Sequence, residues 1–226
     1  MMEDKLREIR NKLRLGMNGV TSASMREKGI VYKLNFGVSI PEIYKIAAGY
    51  EADATLASAM WKEDVRELKI MATMLQPVNS FTHEQAEKWM SEITYPEIAE
   101  QAARNLYAKL PEADEIATHF MYNRKDIYAR AIAFLVFMYL FAAGSEIENS
   151  HIDAFWVESI RSLTSTSFAA GWFEKQAALK ALKCYGRQSE EQARKVLLEL
   201  AYLKESDVPE LQEIYNDLKF EFEYYF

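Results

Sequence analysis

Helix-start signals recur along the chain, a hydroxyl residue followed three positions later by an acid or amide, as in Ser39-Ile40-Pro41-Glu42, Thr82-His83-Glu84-Gln85, Thr94-Tyr95-Pro96-Glu97 and Ser189-Glu190-Glu191-Gln192. Each is a capping-box pattern. The hydroxyl accepts from a free backbone N–H of the first helical turn while the residue three positions on reaches back. Between these starts the apolar residues recur at helical spacing, and only eight glycines and five prolines punctuate 226 residues. No Asn-Gly hairpin flanked by strand alternation appears. The spacing predicts an all-α chain with helices near 3–15, 20–28, 40–50, 53–62, 64–75, 83–92, 95–110, 112–121, 125–143, 149–163, 168–186, 189–203 and 207–219. Short connections favour antiparallel pairs, and stacked pairs make an α-solenoid. No low-complexity linker divides the chain, so a single domain over 1–226 is expected, ending in an acidic, aromatic segment at 205–226.

Half of the residues are apolar and 27% are charged, which excludes wholesale disorder. The single cysteine, Cys184, permits no internal disulfide and fits a reducing, cytoplasmic setting. The charged start Met1-Met2-Glu3-Asp4-Lys5 has no signal-peptide core. The longest apolar run, Ala131 to Ala143, makes a helix of about 20 Å, too short for a bilayer, which needs roughly 20 residues. It is read as a helix buried on all sides, so no membrane partner is expected.

A formal charge of −7 argues at first against nucleic acid, but the charge is unevenly placed. From Glu205 to Phe226 seven acids face one lysine, so this segment alone carries −6 and the rest is near neutral. Residues 161–187 carry five basic residues against Glu174, and the first 45 residues carry nine against five acids, a local +4 in each. Such patches hold phosphates or form ordinary solvated faces.

Chemistry-bearing motifs are few. His83, His119 and His151 stand in no metal-ligand spacing, and no phosphate loop, dinucleotide fingerprint or nucleophile elbow occurs. Cys184 lies near Lys180, Lys183 and Arg187. Those charges favour a thiolate, whereas burial makes cysteine a small apolar residue. Gln176, Lys180, Lys183 and Arg187 fall at i, i+4, i+7 and i+11, on one helical face that suits either backbone tracking along DNA or plain solvation.

Against that background one segment is distinctive: Gly37-Val38-Ser39-Ile40-Pro41-Glu42-Ile43-Tyr44, followed by Met60-Trp61-Lys62 and Arg66-Glu67-Leu68-Lys69. A Gly-Val-x-Ile-Pro loop opening an amphipathic helix, then a Met-Trp pair and an Arg-Glu helix, resembles the AlkD-like DNA alkylation repair proteins. Those are DNA glycosylases built from HEAT-like helical repeats. The resemblance runs roughly from Val38 to Arg187. It implies an α-solenoid of HEAT-like helix pairs and recognition of alkylated purines in double-stranded DNA. It also implies hydrolysis of their N-glycosidic bond, as a hydrolase that needs no metal or organic cofactor.

The resemblance also assigns residues. Tyr95-Pro96-Glu97-Ile98-Ala99-Glu100-Gln101 matches a family helix start of the form Trp-Asp-x-x-Asp. Pro96 stands at the tryptophan, Glu97 at the first aspartate and Glu100 at the catalytic one. An anion there would stabilise the oxocarbenium charge that develops as a cationic purine leaves. The same acids also suit a helix N-terminus through capping and the dipole. Arg130 aligns with an arginine that holds the DNA backbone, and either a phosphate or Glu97 or Glu100 would answer its charge. Lys180 stands where the family has a second lesion-contacting tryptophan, and with Lys183 and Arg187 it would hold phosphates. Tyr95 offers a ring near the site, and Trp89 or Trp156 could supply one from elsewhere. The departures leave a second reading from another class, a catalytically inactive helical scaffold that binds DNA or a protein. The acidic 205–226 segment would dock on a repeat or on a protein partner.

Overall fold

The computed structural model describes residues 2–123, 125–126, 128–165 and 171–226. Among them the regular structure is helical: α1 Met2–Leu15, α2 Gly19–Glu27, α3 Ile40–Ala47, α4 Ala54–Trp61, α5 Arg66–Leu75, α6 His83–Ser91, α7 Pro96–Asn105, α8 Ala113–Tyr122, α9 Ala129–Ala143, α10 Asn149–Thr164, α11 Trp172–Gly186, α12 Glu190–Glu199 and α13 Pro209–Tyr225. Short 3-10 turns at Val78–Ser80, Tyr107–Lys109 and Ala201–Glu205 follow α5, α7 and α12. Each expected helix has its counterpart. Residues 168–170 of the helix expected at 168–186, and residue 127 of the one expected at 125–143, lie outside the described residues. No helix among the described residues is long and apolar enough to cross a membrane.

One of the four capping boxes closes in both directions and a second supplies its hydroxyl cap alone. At α6 the Gln85 N–H donates to Thr82 Oγ1 (3.3 Å) and the Thr82 N–H to Gln85 Oε1 (3.0 Å). At α12 the Gln192 N–H donates to Ser189 Oγ (3.1 Å). Ser39 and Tyr95 cap α3 and α7 without a side-chain bond. Both helices carry proline in the first turn, which removes one of the donors a cap would satisfy and presets φ. Because α7 begins at Pro96, Thr94 stands one residue too early to cap it.

Asp53 caps α4 through bonds from the Thr55 and Leu56 N–H groups, both 3.0 Å. The Leu56 bond outweighs the opposing effect of burial and, with the Lys5 charge and the Thr55 bond, holds the Asp53 carboxyl below its ordinary range. Asp53→Ala is expected to cost about 1 kcal/mol in urea unfolding at neutral pH. The carboxyl is depressed in the folded state, so its contribution is complete above the ordinary aspartate range. It is lost as pH falls through the lowered folded value, where wild type and variant converge.

The described residues pack as two compact units, Met1–Ala86 with Lys109–Pro111 and Glu87–Ala108 with Glu112–Phe226. In the first, α5 packs on α3 and α4, and α1 packs on the same two helices. Its centre holds a buried ion pair, Arg66 with Glu67 (2.9 Å), at 2% and 0% exposure. Glu67 accepts from the Phe36 and Val38 N–H groups, each 3.2 Å, and Arg66 Nη1 donates to the Val38 carbonyl at 2.8 Å. The Gly-Val loop and the Arg-Glu helix start noted in the sequence are thus one structure. Gly37 has φ +70, and a Cβ there would collide with the Asn18 carbonyl oxygen, so only glycine fits.

In the second unit α9 packs against α7, α8, α10 and α11. It is buried from Ala129 to Phe137 and again at Leu140 and Phe141, while Ala142 and Ala143 reach solvent. The expectation of burial on every side therefore holds for its first half. Phe137, Phe141, Phe155, Trp156 and Tyr185 form an aromatic cluster, with centroids 5.0 Å apart for Phe141 and Phe155 and 5.3 Å for Trp156 and Tyr185. Edge contacts of this kind add to the area they bury.

Candidate nucleic-acid interface

The start of α7 presents the acids the sequence singled out. Its buried face is Ile98, Ala99, Gln101, Ala102, Ala103 and Asn105, which turns Glu100 outward. Glu100 is half-exposed and lies 3.8 Å from the Lys180 ammonium on α11, itself half-exposed. Two sequence-identified residues 80 positions apart are therefore brought together. Such an open pair contributes about 0–1 kcal/mol and is easily exchanged for another partner. Glu97 is half-buried in the first turn.

Aromatic residues border this start. Tyr95 is half-exposed at the N-cap. Tyr128 donates its hydroxyl to the Thr94 carbonyl (3.0 Å) and meets the Phe173 ring edge-on at 6.0 Å, tying α7, α9 and the start of α11 together. Burial, then the neighbouring Tyr95 and Asp126, raises the Tyr128 hydroxyl above the usual phenol range. In the sequence Tyr128 carries no signal beyond its place two residues before Arg130. Trp89 and Trp156 are buried, at 5% and 7%, so neither supplies a ring to a ligand. Trp172 is 76% exposed at the start of α11, beside a cavity of about 450 Å³ lined also by Leu163, Lys175, Leu179, Leu211 and Ile214.

Arg130 departs from the expected role. It is 6% exposed at the start of α9. Its Nε donates to Glu174 Oε1 (2.7 Å), and its Nη1 donates to Glu158 Oε2 (2.6 Å) and to the Met121 carbonyl. Neither Glu97 nor Glu100 is its partner. A phosphate contact does not fit, because desolvating the guanidinium is compensated within the protein and no outward face remains to meet DNA. Arg161 completes the group from the solvent side, donating to Glu158 Oε1. Glu158 and Glu174 carried no signal in the sequence, since neither lies near Arg130 along the chain.

The basic face of α11 is divided between two neighbours. Lys180 faces Glu100, whereas Lys183 donates to Asp217 (2.8 Å) and lies 3.5 Å from Glu221 on α13. Arg187 Nε donates to Glu221 Oε1 at 2.8 Å, Nη2 bonds the same oxygen, and the guanidinium stands 5.5 Å from the Tyr225 ring. Burial works to raise the Glu221 carboxyl, but the hydrogen bond and charge of Arg187, with Lys183, more than offset it and hold it low. The acidic segment thus docks on its own chain, as one of the expected alternatives had it. Cys184 is half-buried beside these groups. Burial, with Glu221 adding to it against Arg187, pushes its thiol up, so it is no activated thiolate.

With this geometry in place the likeness to known proteins is specific. A family model described as DNA alkylation repair enzyme matches residues 9–204. No curated protein matches the chain. Among solved structures one is similar at 13% identity with a TM-score of 0.74, covering 94% of this chain and 93% of that one. It is described as "A new family of proteins related to the HEAT-like repeat DNA glycosylases with affinity for branched DNA structures". That likeness shows the fold, the HEAT-like helical repeat expected from the sequence.

Proposed function

This chain belongs to the DNA alkylation repair enzyme family, and we propose that it binds DNA through the face where α7 meets α11 and hydrolyses the N-glycosidic bond of alkylated purines. One observation carries the reading. Glu100 keeps a solvent-accessible carboxylate on the outward side of α7, with the Lys180 ammonium 3.8 Å away. When a phosphate approaches, Lys180 has an alternative anion and leaves Glu100 uncompensated beside the sugar. An alkylated purine is cationic, so the C1′–N bond breaks with its electron pair going to the base, which departs neutral. The positive charge that develops at C1′ faces the Glu100 carboxylate. Water adds its oxygen to C1′ and loses its proton to the carboxylate or to solvent. Glu97, a turn earlier, adds to the local negative potential, and Tyr95 offers a ring at the helix start.

The test is release of 7-methylguanine and 3-methyladenine from methylated duplex DNA. Wild type is expected to release them, and Glu100→Ala to lower the rate by roughly a hundredfold with little change in DNA affinity. Lys180→Met is expected to weaken binding and to flatten the log–log salt dependence by about one unit.

A second reading is favoured by Lys180 and Pro96 themselves, which stand where the resemblance expects tryptophans. It is DNA binding without base release, in a chain whose similar solved structure is described by its affinity for branched DNA. Salt-sensitive binding to duplex or four-way junction DNA, with no base released at saturating protein, would select it over hydrolysis.

A further inference from the structure

The basic face of α11 suits phosphates, yet two of its three cations, Lys183 and Arg187, are already engaged by acids of α13. Lys183 is only 19% exposed between Asp217 and Glu221, and Glu221, also at 19%, holds Arg187. These acids sit four positions apart on α13, one helical turn, and meet cations four apart on α11. The match presents carboxylates where successive phosphates of a nucleic acid would lie.

The attachment is a light one. Of the 17 residues of α13 only Leu218 and Phe222 are buried. Phe222 lies against Gly186 so closely that a Cβ there would overlap its ring. Towards its N-terminal end, Glu210, Leu211, Glu213 and Ile214 of α13 line the cavity of about 450 Å³ that separates them from Trp172, Gln176 and Leu179. The buried side chains of the helix are thus one aromatic anchor and one leucine, and its hold on α11 is a set of part-exposed ion pairs, while it also packs on the Ala201–Glu205 turn and on α12. Salt and competing anions weaken the ion pairs directly.

We propose that α13 is an autoinhibitory cover: Asp217 and Glu221 occupy the phosphate-binding positions of Lys183 and Arg187, and DNA gains those residues only when the helix lifts away. The proposal rests on the reading of α11 as a DNA-facing helix. The apparent affinity for DNA is then the intrinsic affinity reduced by the fraction of molecules in which α13 is undocked. Lifting the helix also adds two phosphate contacts, which steepens the salt dependence.

The full chain tests this through two variants that undock α13 by different means. Asp217→Asn/Glu221→Gln removes the carboxylates. Gly186→Ala displaces Phe222 while leaving every charge in place. Glu210→Gln/Glu223→Gln is the control for net charge, since neither acid pairs with α11. A labelled duplex and a labelled four-way junction are titrated in a salt series. Undocking itself is read, in Gly186→Ala where Glu221 still bears on the thiol, from the rate at which an aromatic disulfide reagent labels Cys184, the single cysteine.

Cys184 is expected to label faster in Gly186→Ala, and both undocking variants are expected to bind DNA about three- to tenfold more tightly than the control. Their log–log salt slope should be steeper by about two units. Faster labelling without tighter, more salt-dependent binding overturns the cover while leaving DNA binding by wild type intact. Unchanged labelling and affinity in Gly186→Ala, whatever the charge variant does, also overturns it, because charge alone would then account for any gain. Absence of binding by every form, wild type included, removes the DNA-facing reading of α11 and the cover with it.

Discussion

Arg130→Met is expected to destabilise the protein by about 3–5 kcal/mol, a large share of the roughly 5–15 kcal/mol typical of a folded domain. The substitution keeps most of the side-chain volume, so little of the loss comes from a cavity. It comes from Glu158 and Glu174, which are 1% and 6% exposed and lose the cation between them. Arg161 remains near Glu158 but is 55% exposed, so its charge is the more screened. The Met121 carbonyl also loses its guanidinium donor. Urea unfolding at neutral pH measures the loss. A companion variant, Arg130→Met/Glu158→Leu/Glu174→Leu, should recover most of the loss, since replacing a whole buried ionic group with apolar residues is often neutral or better. A surface arginine serving phosphates would behave oppositely, with unchanged stability and weakened DNA binding.

Glu67→Ala is expected to cost a similar amount, about 3–5 kcal/mol, in the other unit. Glu67 is fully buried and serves three partners: the Phe36 N–H, the Val38 N–H and the Arg66 guanidinium. Alanine leaves both N–H groups without that acceptor and removes the carboxylate that faces a guanidinium 2% exposed. Each such group carries a penalty well above the net value of an ordinary hydrogen bond. Glu67→Gln keeps the shape and one acceptor oxygen, and should lose less. The Gly37 loop these bonds secure should become the first segment to open. Amide exchange at Phe36 and Val38 is expected to accelerate more than exchange in α9.

The course of the helices was legible in the chain because the signals are local. Ser189 with Gln192 and Thr82 with Gln85 act across three residues, and they form the caps expected of them. The same reading failed at Thr94, where proline moved the helix start by one residue, and at the end of α13, expected near 219 but continuing to Tyr225. There Leu218 and Phe222 find a docking surface that no window of sequence contains. Glu100 and Lys180 were identifiable as chemistry, and their meeting was not. Lys183 and Arg187 were recognisable as a basic stripe, yet nothing local distinguishes a cation awaiting phosphate from one already paired with its own chain. Arg130 at the mouth of the most apolar helix demanded a partner, and its partners lie 28 and 44 residues away.

By itself the amino-acid order determined where most helices begin and end, which faces are apolar, and the family to which those features belong. Periodicity, capping and proline geometry act over three or four residues, so no knowledge of the fold is needed to read them. Only the tertiary structure decided how each charge is used. Glu67 secures a loop 29 to 31 residues away, Arg130 is committed to the interior, and Asp217 and Glu221 reach Lys183 and Arg187 across 34 residues. Electrostatic and hydrogen-bond partners are selected by distance in space and by exclusion of water, and both arise only once the helices have packed.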